Sequence, residues 1–379
     1  MECALLSHSQ SGGWSEHGFP PLDSNRTLIL VFGASSYIDD QAPLKQLRAA
    51  YPKSTLVGCS SAGEIQNDRL IDESLVVAAV RFDAAQVRAA SASVESAAES
   101  FDAGRSVARE LAGPGLRGVL VYSDGLRVNG SELVRGLSDS LPDGVVLSGG
   151  LAADGDRFER TWTFDGDECR PGRVCAVGLY GESLRIGQGS QGGWDIFGPE
   201  RIVTRSSGAV LYEVDGRPAL DLYKEYLGDR ANGLPAAGLL FPLALRSNRD
   251  DESWLVRTIL GVDEQERSMT FAGDIPQGAT AQLMRANFDR LIAGAANSAL
   301  ETRTEGDTGP CLSIAVSCVG RRLVLGERIE EELEATLDEL PEQTQQLGFY
   351  SYGEISTRFT GCSDLHNQTM TLTTITEQS

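Results

Sequence analysis

Short apolar runs alternate with amphipathic stretches along most of this chain, and the alternation repeats. Thr27–Phe32 has a buried-strand pattern through Leu28, Ile29, Leu30 and Val31. Leu44, Leu47 and Tyr51 then fall at helical spacing until Pro52 stops the helix, and Ser54–Gly58 is a second apolar run. Gly118–Tyr122 begins the series again. Asn129 and Glu132 form a capping box, Leu133, Val134, Leu137 and Leu141 share one helix face, and Val145–Leu147 follows. A third round runs from Cys311 to Tyr350. Its helix carries Ile329, Leu333, Leu337 and Leu340 on one face and Glu327, Glu330, Glu331, Glu334 and Asp338 on a solvated one.

Each round closes on glycines. Gly58-Cys59-Ser60-Ser61-Ala62-Gly63-Glu64-Ile65 returns as Gly348-Phe349-Tyr350-Ser351-Tyr352-Gly353-Glu354-Ile355, with Gly, Ser, Gly, Glu and Ile identical. A looser copy is Ser148-Gly149-Gly150-Leu151-Ala152-Ala153-Asp154-Gly155-Asp156. A supersecondary unit used three times predicts an α/β fold of mixed sheets with flanking helices, built from three strand–helix–strand–glycine-turn repeats in two modules. Pseudo-symmetry predicts that the two closely matched motifs lie near each other, with Gly63 and Gly353 at positive φ or in close backbone approach.

Between the units, Ser74–Phe82 with Gln86–Val94, and Arg173–Tyr180 with Leu184–Gly189, read as strand pairs, and Phe101–Ala112 as a helix. Gly192-Gly193-Trp194-Asp195-Ile196-Phe197-Gly198-Pro199 reads as a loop, Gln282–Leu300 as the longest helix and Gln368–Thr374 as the last strand. Composition shifts at Gly228–Pro235. The expected division is a polar lead-in over residues 1–26, an N-terminal module over 27–220 and a C-terminal module over 221–379.

The formal net charge of -21 disfavours nucleic acid and anionic membrane surfaces. No apolar run reaches the roughly 18 residues of a membrane span, and no signal-peptide pattern opens the chain, so a cytoplasmic protein is expected. Seven scattered cysteines without a CxxC pair read as buried thiols rather than a zinc site.

The glycine motifs, together with Asp364-Leu365-His366-Asn367-Gln368-Thr369, resemble the FIST (F-box and intracellular signal transduction) sensory domain, over nearly the whole chain. The resemblance implies a non-enzymatic sensor. Bacterial members bind small ligands, proposed to be amino acids, and act with histidine kinases, chemotaxis receptors or cyclic-di-GMP enzymes. One branch holds haem and senses nitric oxide. By this resemblance the chain signals in trans, as a haem-based nitric oxide sensor in the first place, with an amino-acid sensor as the alternative. A thiol or serine hydrolase-like enzyme and a ligand-free scaffold are the alternatives of other classes.

Glu64 and Glu354, each following a glycine at a strand end, are placed either to receive a ligand ammonium or to hold backbone N–H groups of their own turns. Ser60 and Ser61 approach a nucleophile elbow, but the second glycine lies one residue too far. Cys59 with His366 has the residue types of a thiol nucleophile. His366 is one of three histidines, with His8 and His17. It is a candidate haem-iron ligand, a ligand hydrogen-bonder, or a pin for the Gly353-Glu354 turn. Asn367 beside it suits a zwitterion, and Trp194 and Tyr352 complete the ligand-binding candidates. Haem would further require an apolar slot and cations for its propionates, for which Trp194, Phe197, Arg201 and Arg205 are the candidates.

Overall fold

The computed structural model describes residues 1–15, 18–246, 254–303, 311–357 and 363–378. His17 and Cys362 lie outside the described residues.

The three repeats each form a parallel strand pair joined by helix. Thr27–Ala34 pairs with Thr55–Ser61, Leu116–Ser123 with Val146–Leu151, and Leu312–Cys318 with Gln345–Ser351. An antiparallel third strand flanks the first strand of each pair: Ser74–Arg81, Arg173–Tyr180 and Met370–Glu377. The fold is thus α/β with mixed sheets, as the pattern of apolar runs predicts.

After its glycines each unit leaves its own sheet and joins the next. Glu64–Gln66 pairs with Leu347–Phe349 of the third unit, and Gly353–Thr357 pairs with Val146–Leu151 of the second. Thr163–Phe164, downstream of the second unit, pairs with Gly58–Cys59 of the first. The crossings are sealed by three equivalent backbone hydrogen bonds: Ala62 N to Tyr350 O at 2.8 Å, Ala153 N to Ser60 O at 3.0 Å, and Tyr352 N to Leu151 O at 3.2 Å. Donor and acceptor occupy the same repeat positions each time, so the three units close a cycle around a pseudo-threefold axis. The two matched motifs are therefore not merely close but share one ladder.

Close approach within each parallel pair explains the leading glycines. A Cβ on Gly58, Gly149 or Gly348 would fall inside the van der Waals radius of the carbonyl oxygen of Val31, Val121 or Ala315. The paired positions beside them carry one large ring per unit: Phe32 with Cys59, Tyr122 with Gly150, and Phe349 with Val316. The ring centroids of Phe32, Tyr122 and Phe349 lie 4.6–6.0 Å apart. Of the trailing glycines, Gly63 has φ 132°, whereas Gly353 is held by side-chain crowding from Leu365 and Leu151.

The apolar clusters divide the chain differently from the expected cut at 220/221, which falls inside the helix Ala219–Leu227. An eight-stranded sheet from Asp195 to Arg285 has its own core, including Val203, Leu211, Leu245 and Phe271. It is inserted between strand Leu184–Gln191 and helix Phe288–Glu301, both of which belong to the three-unit body. The lead-in is not loose, because Glu2–Ser9 pairs along its length with Ser74–Arg81. Its many half-buried polar residues reflect a strand near a sheet edge. The expected helix from Gln282 is instead the strand Thr280–Arg285 followed by a helix capped by Asn287, whose side chain accepts from Arg290 N. The glycine–aromatic loop becomes strand from Asp195 onward.

Replacing Gly58, Gly149 or Gly348 by Ala is expected to cost about 3 kcal/mol or more, since the obstructing atom is backbone. Gly261→Ala, with nothing within 4 Å and no positive φ, should be near neutral in denaturant titration. Equal effects at all four positions would refute the close-approach account.

Candidate functional site

Glu64 and Glu354 are fully buried and bound identically. Glu64 accepts from Ser61 Oγ at 2.8 Å and from Ser74 N and Oγ at 3.0 Å. Glu354 accepts from Ser351 Oγ at 2.7 Å, Thr369 N at 3.2 Å and Thr369 Oγ1 at 3.0 Å. Each carboxyl fastens its glycine turn to the start of the antiparallel strand. Burial pushes both up to about 8, against the lowering effect of their hydrogen bonds.

Other candidates in the motifs are also enclosed. The Ser60 Oγ accepts from Trp162 N at 3.1 Å. Cys59 lies in the apolar centre, where burial raises its thiol well above the usual range, so it lacks thiolate character. Tyr352 stacks on Phe158 with centroids 4.5 Å apart and donates to Gly155 O at 3.0 Å and to buried Asp154. Asp154 itself caps the backbone N–H groups of Phe158, Glu159 and Arg160. Ser61 and Glu64 border a smaller cavity of about 330 Å³ with Asp72 and Arg322.

Trp194, His366 and Asn367 do converge. They line a cavity of about 610 Å³ between the three-unit body and the inserted sheet. Strands Leu184–Gln191 and Ser363–His366 form walls from the body, and Trp254, Val256 and Met284 close it from the insert. The turn His366-Asn367-Gln368-Thr369 is the joint between the two. Gln368 O accepts from Trp194 Nε1 at 2.9 Å, its side chain donates to Thr258 Oγ1 at 3.0 Å, and Leu365 O accepts from Arg257 Nη1 at 3.0 Å. His366 faces Glu354 across the ladder, but the pins of the Glu354 carboxyl are Ser351 and Thr369.

The expected haem groups do not assemble. Phe197 and Arg201 border a separate apolar recess of the insert, where Arg201 is held by Asp215 and Tyr226. Arg205 pairs with Glu213 at 3.0 Å. The charged side chain that does line the large cavity is the carboxylate of Glu301.

Two features escaped the sequence. Ser356 Oγ is buried on the cavity wall with no hydrogen-bond partner among the described residues. Arg321 and Glu332 form a completely buried ion pair at 2.6 Å. Glu332 also accepts from Ser317 and Tyr350, and Arg321 donates to Leu291 O at 2.8 Å and to Gly192 O on the cavity rim. Glu332 falls on the Ile329–Leu333–Thr336 face, so the helical period does carry its signal.

Two family models match the chain, the FIST N domain over residues 27–217 and the FIST C domain over 219–357. The chain belongs to the FIST family. FIST domains are associated with sensing in signal transduction. An uncharacterized protein of Methanocaldococcus jannaschii is 23% identical over 236 residues, covering 55% of this chain and 45% of that protein. This FIST chain thus spans less than half the length of that curated relative. Among the described residues, no helix is long and apolar enough to cross a membrane.

The raised Glu64 and Glu354 carboxyls bind protons on folding, so the native state is favoured at low pH and loses stability as pH rises from about 4.5 through about 8. Wild-type melting should therefore fall with pH in this window relative to a Glu64→Gln/Glu354→Gln variant. Parallel pH profiles would show that neither carboxyl is perturbed. Arg321→Met should cost about 3–5 kcal/mol by stranding Glu332, and Arg321→Met/Glu332→Leu should recover much of it. A double variant as unstable as the single one would count against this.

Proposed function

We propose that this FIST protein is a cytoplasmic, non-enzymatic sensor that binds a small ligand in the cavity beside His366 and signals through a separate polypeptide. A histidine kinase, a chemotaxis receptor or a cyclic-di-GMP enzyme is the partner class. The observation that carries this reading is the Ser356 hydroxyl, buried on the wall of a roomy cavity with no protein partner among the described residues. A buried hydroxyl left without a partner is costly, and a polar ligand removes that cost. The cavity also lies where the inserted sheet meets the three-unit body, so occupancy bears on both at the Gln368 joint.

The lining, with the Glu301 carboxylate at its edge, favours a small amine-bearing ligand. Haem draws support from His366, and its propionates would meet Glu301 rather than Arg201 or Arg205. The purified protein is expected to lack a Soret band, with or without added haem. It should be stabilised by about 2.7 kcal/mol at a ligand concentration of 100 Kd. Ser356→Leu, which replaces the wall hydroxyl by a larger apolar side chain, should abolish that stabilisation. A Soret band present in wild type and lost in His366→Ala, with far-UV circular dichroism intact, would establish haem instead. Stabilisation surviving in Ser356→Leu would remove the cavity as the site.

A further inference from the structure

Resting on the reading of this cavity as the ligand site, we infer that the ligand is an organic cation, an amine without a carboxylate, held at Glu301 with its uncharged part toward Ser356. Glu301 is the last residue of the fourteen-residue helix Phe288–Glu301. One of its carboxylate oxygens accepts from Ser190 N at 3.1 Å and the other from the Gln191 side chain, which fixes the group at the cavity edge. Each oxygen keeps acceptor capacity for a further donor. The carbonyl end of the helix adds negative potential at the same place, within its last turn. Negative charge from two sources thus meets a ligand entering here, and a cation is stabilised by both.

Apart from Glu301 and His366, the titratable side chains among them, the described lining residues are uncharged polar or apolar. Val146, Ile186 and Met284 supply apolar wall for a hydrocarbon body. The polar neighbours are mostly committed. Gln188 bridges Leu147 O at 3.0 Å and Thr357 N at 2.9 Å, Thr369 is bound to Glu354, and Ser190 bonds Thr371 at 2.9 Å. Ser356 is the hydroxyl left for a ligand. A zwitterion would bring its carboxylate into this space without an arginine or lysine among the described lining residues. The desolvation cost of such an anion disfavours amino acids against the corresponding amines.

Decarboxylation pairs isolate that one group. Isothermal titration calorimetry on the full chain would compare tyramine with tyrosine, phenethylamine with phenylalanine and isoamylamine with leucine. At least one amine should bind ten-fold or more tightly than its parent amino acid. Glu301→Gln should weaken that amine at least ten-fold, and Ser356→Leu should abolish its binding. Should Glu301→Gln fail to fold, Ser356→Leu together with the pairwise preference decides the matter. An amino acid that binds as tightly as its amine, with binding lost in Ser356→Leu, overturns the cation class while leaving the cavity as a ligand site. Binding untouched by Ser356→Leu overturns both. No binding by any of the three amines also overturns the inference.

Discussion

Three backbone hydrogen bonds hold this molecule in its arrangement: Ala62 to Tyr350, Ala153 to Ser60 and Tyr352 to Leu151. Each links one repeat to the next at the point where the chain crosses between sheets. Just ahead of each crossing the strand's own parallel partner lies closer than a side chain allows, which is why Gly58, Gly149 and Gly348 recur at the head of every motif. Because buried backbone groups must be paired, no unit can complete its own turn. The carboxyls of Glu64 and Glu354 extend the same logic, each tying a crossing to the following antiparallel strand.

The candidate site sits where the repeat departs from itself. Glu64 stands opposite Ile71 as Glu354 stands opposite His366, so Ile71-Asp72-Glu73-Ser74 and His366-Asn367-Gln368-Thr369 are counterparts. Glu73 and Gln368 even share a positive φ, 52° and 65°. The first copy is charged, and Asp72 binds Arg322 at 2.8 Å. The third copy has no carboxylate and meets the inserted sheet through Gln368, whose side chain bonds Thr258. A shared scaffold thus gives a charged surface turn in one unit and a cavity wall in another.

The strand–helix–strand rhythm was legible because apolar runs and glycines are set by local packing. The shared role of Glu64 and Glu354 was legible only in part: each holds a backbone N–H, but that of the following antiparallel strand and not of its own turn. Strand exchange was not, because pairing between Glu64–Gln66 and Leu347–Phe349 leaves no trace in either segment's own pattern. Alternating and helical periods also compete in Thr280–Glu301, where Asn287 divides strand from helix. For the site, Trp194, His366 and Asn367 were found among residues of the right chemistry. Ser356 and Glu301 were not, since a serine within a strand and a glutamate at a helix end look ordinary until a cavity lies beside them.

The exchange of strands also sets the order in which the chain becomes whole. Asn67 bonds to Gln346, 279 residues later. As the chain leaves the ribosome, Arg69–Ile71 can cover one side of Glu64–Gln66, but the other stays open until Leu347–Phe349 has been made. The first repeat must therefore wait, exposed, for the last. Closure of such distant contacts is slow, and an unpaired edge invites other chains. In this protein the hazardous interval of folding lasts until the third repeat arrives to complete the first.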